Sequence, residues 1–134
     1  MPIAIIAAIA AAAVRLIVTP LVRRAARRLG IVDHPDRHRK LHAEPTPLGG
    51  GVAVLVGFLA SMAAVFCFSD SQRNQFVANW QFVVGLIAAA VFIVGVGLID
   101  DRFLLRGRQK LAAQFAAAGI LVAGGLWIGG IELF

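Results

Sequence analysis

Residues 80–101 read WQFVVGLIAAAVFIVGVGLIDD, an apolar run of twenty residues without a charge that stops at two adjacent aspartates. A helix needs about 20 such residues to cross the hydrocarbon core of a bilayer. The run therefore predicts a transmembrane helix over 80–99, with Asp100 and Asp101 at the membrane edge.

The rest of the chain has the same character. Its 134 residues are 60% hydrophobic and 15% charged, which is more apolar surface than a soluble domain of this length can bury. No internal repeat or linker separates the apolar runs. We predict an all-α integral membrane protein with a single domain over 1–134, whose four transmembrane helices cover 3–21, 48–68, 80–99 and 111–131.

The basic residues predict the orientation. Eleven of the thirteen lysines and arginines lie between the first and second runs or between the third and fourth, whereas the loop between the second and third runs holds only Arg73. Because cytoplasmic loops are enriched in Lys and Arg, both basic loops are predicted to be cytoplasmic and both termini to lie outside. Arg15 lies inside the first run, and we interpret it as a snorkelling side chain. A signal peptide carries its positive charge before its apolar core, so the first run is interpreted as a retained span.

The net charge of +6 does not indicate a nucleic-acid partner, because the arginines lie between apolar runs and not along a basic helix interleaved with aromatics. Four of them recur at helical spacing, which is typical of a segment that binds lipid headgroups: Arg23, Arg24, Arg27 and Arg28. The single Cys67 cannot form an intrachain disulfide. Three histidines at 34, 38 and 42 are spaced for one helical face, but the prolines of this loop disfavour such a helix and hence a zinc site.

Asp100 and Asp101 are the residues best suited to chemistry. One interpretation is a polar helix end in solvent. The other is a divalent-cation or general-base site, because ionisable groups at a membrane edge need water, cations or counter-ions. Arg102, Arg106, Arg108 and Lys110 follow closely, and such a mixture of carboxylates and cations suits phosphate chemistry.

Two segments carry a resemblance to a known family. The stretch DHPDRHRKLHAEPTPLGGGVAV (33–54), followed by GLIDDRFLLRGRQKLAAQ (97–114), resembles the polyprenyl-phosphate N-acetylhexosamine-1-phosphate transferases. These membrane enzymes transfer a sugar 1-phosphate from a UDP-sugar to undecaprenyl phosphate and release UMP. The RKLH and DDRF forms are more similar to the branch that uses UDP-N-acetylglucosamine. The resemblance implies a multi-pass protein of the bacterial inner membrane that takes part in cell-envelope glycan synthesis.

The resemblance also implies roles for particular residues. Asp100 and Asp101 match the aspartate pair that is catalytic and holds Mg²⁺, with Mn²⁺ as an alternative. The substrate-binding positions map onto Asp33, Arg39, Lys40, His42, Thr46 and Lys110. The motif positions Pro35, Pro47, Gly49, Gly50 and Gln114 are matched as well. The implied partners are undecaprenyl phosphate, the UDP-sugar and the lipid bilayer, and homo-oligomerisation stays open.

Length is where the chain departs from the family. Members have further spans, a later aspartate- and asparagine-containing motif and a histidine-containing loop, none of which is present in these 134 residues. We therefore expect an N-terminal fragment or a truncated product that is inactive by itself. The alternative from another class is a non-catalytic four-helix membrane scaffold.

The asymmetry of the basic residues leads to a prediction about topology. A cysteine placed at Asn74 should react with a membrane-impermeant reagent added from outside, and cysteines at Arg37 or Arg106 should not. Labelling at Arg37 or Arg106 without labelling at Asn74 would reverse the orientation.

Overall fold

A computed structural model of the chain describes residues 2–30, 32–33 and 46–126. Within these ranges the chain is helical apart from one minimal strand pair. In chain order the elements are α1 (Pro2–Arg28), β1 (Val32–Asp33), β2 (Thr46–Pro47), α2 (Gly50–Phe68), α3 (Asp70–Ala78), α4 (Trp80–Phe103) and α5 (Gly107–Ala123). The strands pair antiparallel, with Val32 opposite Pro47 and Asp33 opposite Thr46.

Three helices in the described part of the chain are long and apolar enough to cross a bilayer. They comprise Ile3–Arg28, Gly50–Phe68 and Trp80–Phe103. The prediction of a helical membrane protein is therefore confirmed. Helix α5 has 17 residues, and the predicted fourth span over 111–131 continues past the described residues, so four spans stay a prediction.

Two helices extend beyond their predicted ends. Helix α1 runs to Arg28, past the predicted end at residue 21, with Pro20 inside it. Helix α4 continues past Ile99 to Phe103, so both aspartates lie within its last two turns and not after it. Charged residues do not end a helix by themselves. Helix α1 ends where the backbone turns at Leu29 and Gly30, and helix α4 ends where it turns at Leu104.

The segment between α2 and α4 is a helix that the sequence did not predict. Ser69 caps α3, its Oγ accepting a hydrogen bond from the Gln72 amide at 3.4 Å. Asp70 in the first turn favours the helix through its dipole, and it forms an ion pair with Arg73 at 2.6 Å. The capping signal is short and lies between two long apolar runs, so the pattern of apolar residues predicts only a loop here.

Small residues form the helix contacts. Among the described residues, the buried apolar side chains are Ala26, Ala53 and Ala89, whereas large apolar side chains such as Leu16 (78%) are exposed. Such a distribution suits lipid, which solvates large apolar side chains while small residues let helices approach closely. Helices α1 and α2 form one closely packed pair and α4 and α5 another, with a smaller contact between α2 and α4.

The glycines at 85 and 124 predict how the second pair responds to substitution. A Cβ added at Gly85 would lie 2.8 Å from the Gly124 Cα, so Gly85→Ala must push α4 and α5 apart. We expect it to lower the free energy of unfolding by about 1–3 kcal/mol, measured by titration from mild detergent into a denaturing one. Gly95→Ala on the same helix is the control, because its Cβ meets nothing within 4 Å. Equal losses for the two variants would show that this contact is not tight.

Candidate functional site

The Asp100 side chain closes the end of α4. After Phe103 the chain turns at Leu104, whose φ of 50° lies in the left-handed region that is costly for a residue with a Cβ. The Leu104 amide donates to the Asp100 carbonyl, and the Leu105 amide donates to Asp100 Oδ1, both at 2.9 Å. These two hydrogen bonds hold the turn and so set the direction in which the chain enters α5.

Lys110 reaches the second oxygen of the same carboxylate from the start of α5. Its Nζ lies 2.8 Å from Asp100 Oδ2, and the Asp100 side chain is only 28% exposed. A cation near a helix N-terminus is opposed by the helix dipole, and the carboxylate of Asp100 offsets this. Asp100 therefore has one oxygen on a backbone amide and the other on an ammonium group.

Asp101 contacts a different helix. Its Oδ2 accepts a hydrogen bond of 2.8 Å from the Gly49 amide, which lies just before α2. Helix α2 has no acidic residue in its own first turn, so the carboxylate from α4 supplies the negative charge that a helix N-terminus favours. Gly49 is buried and has a φ of 89°, a conformation that favours glycine.

A cavity of about 250 Å³ lies between α2 and α4 at this end of the molecule. Both aspartates line it. The other lining residues are glycine or apolar: Gly49, Gly51, Ile93, Val94, Gly97 and Leu98. The glycines leave space where side chains would otherwise fill the gap between the helices, so the two carboxylates border open volume.

Arg102 connects this end of α4 to the end of α1. One guanidinium nitrogen, Nη1, donates to the Leu29 carbonyl at 3.3 Å. A cation there also complements the negative end of the α1 dipole. The contact brings the two predicted basic loops to the same end of the helices, which we call the basic end: the C-terminal ends of α1 and α4 and the N-terminal ends of α2 and α5.

The structure brings together part of the predicted site. Asp100, Asp101 and Lys110 lie at the basic end, with Asp100 in contact with Lys110. The backbones of Asp33 and Thr46 pair with each other, and β2 leads directly to Gly49. Arg39, Lys40 and His42 lie outside the described residues, and their part in the site stays a prediction.

Sequence reasoning missed the backbone groups and Arg102. The family motif included Gly49 and Gly50 without a reason for them, and the structure shows that the Gly49 amide binds Asp101. The triple glycine after two prolines was the signal, because such a turn exposes amides. Arg102 appeared only as one of several basic residues, and nothing in the sequence singled out its contact with Leu29.

A divalent cation fits the donor set in part. Among the residues the structure describes, no group of three or more His, Cys, Asp or Glu side chains comes together. Asp100 and Asp101 are the two carboxylates that line the cavity, and Mg²⁺ is commonly held by one or two carboxylates together with water and substrate phosphate. Each carboxylate has lone pairs beyond the hydrogen bonds described above. The pair therefore suits a cation that arrives with a phosphate.

Comparison with proteins of known function finds polyprenyl-phosphate transferases. The chain is 42% identical over 118 residues to the decaprenyl-phosphate N-acetylglucosaminephosphotransferase of Mycobacterium tuberculosis, which is 87% of this chain and 28% of that protein. It is 30% identical over 111 residues to the probable undecaprenyl-phosphate N-acetylglucosaminyl 1-phosphate transferase of Bacillus subtilis (83% and 28%). It is 32% identical over 106 residues to the undecaprenyl-phosphate alpha-N-acetylglucosaminyl 1-phosphate transferase of Yersinia pestis (78% and 26%). No family model and no solved structure gives a significant match.

The fold and the site define a helical membrane protein with two carboxylates and a lysine gathered at one end of its helices. The chain is homologous to the polyprenyl-phosphate N-acetylglucosamine phosphotransferases, which confirms the resemblance seen in the sequence. It spans 28% of the length of the M. tuberculosis and B. subtilis relatives.

The geometry at Gly49 leads to a prediction. Gly49→Ala places a Cβ on a backbone with φ of 89°, which costs about 1–2 kcal/mol, and it strains the amide that binds Asp101. We expect a loss of stability of that size in detergent unfolding. Gly50→Ala is the matched control, because its Cβ meets nothing within 4 Å and its φ is not positive. If Gly49→Ala is as stable as Gly50→Ala, the left-handed turn is not what holds the amide.

Proposed function

We propose that this chain forms part of a membrane enzyme that transfers N-acetylglucosamine 1-phosphate from UDP-N-acetylglucosamine to undecaprenyl phosphate. An oxygen of the lipid phosphate attacks the β-phosphorus of the nucleotide, the bond from that phosphorus to the bridging oxygen breaks, and UMP leaves. The observation that carries the proposal is the pair of carboxylates that lines a cavity at the basic end, with Lys110 paired to Asp100. The names of the relatives support the choice of substrates.

Asp100 and Lys110 form the phosphate-handling part of the proposed site. In this proposal Asp100 acts as base or cation ligand at the lipid phosphate. Lys110, 2.8 Å away, neutralises phosphate charge. The ammonium group of Lys110 is flexible and can contact both the Asp100 carboxylate and a phosphate. It thereby lowers the electrostatic repulsion between these two anions.

In this proposal Asp101 supports the binding of the metal ion. The Gly49 amide fixes the carboxylate orientation, and the side chain borders the cavity. Asp100 and Asp101 would hold Mg²⁺, or Mn²⁺, which when bound neutralises the charge of the reacting phosphates. Catalysis of phosphoryl transfer depends mostly on such positioning and charge neutralisation.

In this proposal the first basic loop forms the nucleotide-binding part of the site. Lys40 is assigned to phosphate charge, and His42 and Thr46 to the shape of the nucleotide site, with Asp33 and Arg39 as further substrate contacts. The pairing of Asp33 with Thr46 brings the two ends of this loop together. Because β2 leads into Gly49, the loop is connected to the end of α4 that carries Asp101. Cytoplasmic access to a UDP-sugar and a place in the bacterial inner membrane belong to the same proposal.

A non-catalytic scaffold is the second candidate, and one observation favours it. Both aspartates accept hydrogen bonds from backbone amides of this chain, which is a structural use that needs no substrate. In that case an uncharged acceptor of the same shape should serve nearly as well, since an asparagine carbonyl also accepts a hydrogen bond.

Asparagine substitutions separate the two candidates. The assay is UMP release from UDP-N-acetylglucosamine with undecaprenyl phosphate and Mg²⁺, in membranes that contain the product of the complete reading frame in which this sequence lies. Asp100→Asn and Asp101→Asn should each lower turnover by at least about 10², the usual loss when a general base is removed. Lys110→Gln should raise the apparent KM more than Asp101→Asn does.

Asp70→Asn is the matched control, because this side chain is 84% exposed on α3 and pairs only with Arg73 among the described residues. It should keep nearly full activity. Retention of more than about half the rate by Asp100→Asn and by Asp101→Asn, far above the loss expected for a catalytic carboxylate, would favour the scaffold.

A further inference from the structure

Helix α1 is longer than the hydrocarbon core of a bilayer is thick. Its apolar and basic stretch Ile3–Arg28 has 26 residues, or about 39 Å at 1.5 Å per residue, against about 30 Å for the hydrocarbon core. The last turn and a half, which begins at Arg23, therefore extends into the headgroup layer. Arg15 lies about 12 Å deeper along the helix.

The stem of Arg15 is seated on α2. Gly57 is buried, and a Cβ built there would lie 2.8 Å from Arg15 Cγ and 3.3 Å from the Ala11 carbonyl oxygen. The missing side chain at Gly57 makes room for the arginine. Among the side chains that the structure describes, no carboxylate forms an ion pair with Arg15. A guanidinium at this depth calls for an anion or a polar environment.

A groove of about 410 Å³ on the surface of α1 has an arginine near each of its ends. Arg15, Thr19 and Arg23 line it at intervals of four residues, which places them on one side of the helix. The other lining residues are Ala12, Leu16 and Pro20. The groove thus has two guanidinium groups, a hydroxyl between them, no acidic residue and an apolar remainder.

We propose that this face of α1 binds the phosphate group of a membrane lipid. Guanidinium groups bind phosphate oxygens in paired hydrogen bonds, and the Thr19 hydroxyl donates a further one. Arg23 lies at the depth of lipid phosphates, and Arg15 draws the phosphate toward Thr19. Ala12, Leu16 and Pro20 contact the hydrocarbon chain that continues into the bilayer. The site lies on the surface of α1 and uses none of the residues assigned to transfer.

Lipid retention by the purified chain tests the proposal. The chain in detergent micelles is incubated separately with phosphatidylglycerol, undecaprenyl phosphate, inorganic phosphate or diacylglycerol, and retained ligand is counted by native mass spectrometry. We expect one or both lipid phosphates to be retained, and diacylglycerol and inorganic phosphate not to be. Arg15→Gln and Arg23→Gln should each weaken retention about tenfold, the effect of losing a charged hydrogen-bond donor.

Arg24→Gln is the matched control. It removes the same charge at the depth of Arg23 from a residue that does not line the groove, and it should change retention less than about twofold. Thr19→Val and Arg15→Lys are second variants that keep the size or the charge and should show smaller losses. Circular dichroism checks that each variant stays helical.

The outcomes are distinct. Retention of phosphatidylglycerol identifies a site for bulk phospholipid, and retention of undecaprenyl phosphate alone identifies one for the isoprenoid lipid. Each supports the proposal. Equal losses in Arg15→Gln and Arg24→Gln would show a general attraction of the basic end for anions. That result, retention of inorganic phosphate or diacylglycerol equal to that of the lipid phosphates, or no retention of either lipid phosphate by the unaltered chain would overturn it.

Discussion

The hydrogen bond from the Gly49 amide to the Asp101 carboxylate joins two halves of the molecule that otherwise touch little. Helices α1 and α2 pack as one pair and α4 and α5 as another, while the contact between α2 and α4 is much smaller. At the basic end this contact includes the hydrogen bond, with Leu98 beside Gly49. One partner is an amide made available by a left-handed glycine and the other is an ion at the edge of the apolar helix. Among the described residues, the side-chain hydrogen bonds that join the two pairs are this one and the one from Arg102 to the Leu29 carbonyl, and only the first contacts α2 beside the aspartate pair.

The same carboxylates have a structural use and a proposed chemical one. Asp100 holds the turn into α5 through Leu105 and pairs with Lys110, and Asp101 holds the start of α2. Hydrogen bonds of this kind fix the orientation of a side chain before a substrate arrives, which is a requirement of a preorganised site. They also mean that removal of either carboxylate by alanine disturbs the local backbone, whereas asparagine removes the charge and keeps an acceptor for the amide.

The sequence predicted the parts of the fold that depend on apolar runs. The two uncharged runs are helices α2 and α4, and their predicted and observed bounds agree within a few residues at all ends except the C-terminal end of α4. That end could not be predicted, because a left-handed Leu104 held by Asp100 stops the helix and the two aspartates do not. Helix α3 was missed because its capping signal at Ser69 is local and short. In the site, the proximity of Asp100 to Lys110 was foreseen, whereas the partners of Asp101 and Arg102 are backbone groups from distant segments, which no residue pattern reports.

Exchange of the Gly49 amide hydrogen reports whether the Asp101 carboxylate holds the start of α2. In the isotope-labelled chain in micelles, nuclear magnetic resonance follows exchange of the Gly49 amide hydrogen with deuterium. We expect this amide to be protected in the unaltered chain. Asp101→Ala should remove most of the protection, and Asp100→Ala should leave it in place because Asp100 bonds to Leu105 and Lys110 instead. Equal protection in the unaltered chain and in Asp101→Ala would contradict the account, since burial and not the carboxylate would then shield Gly49.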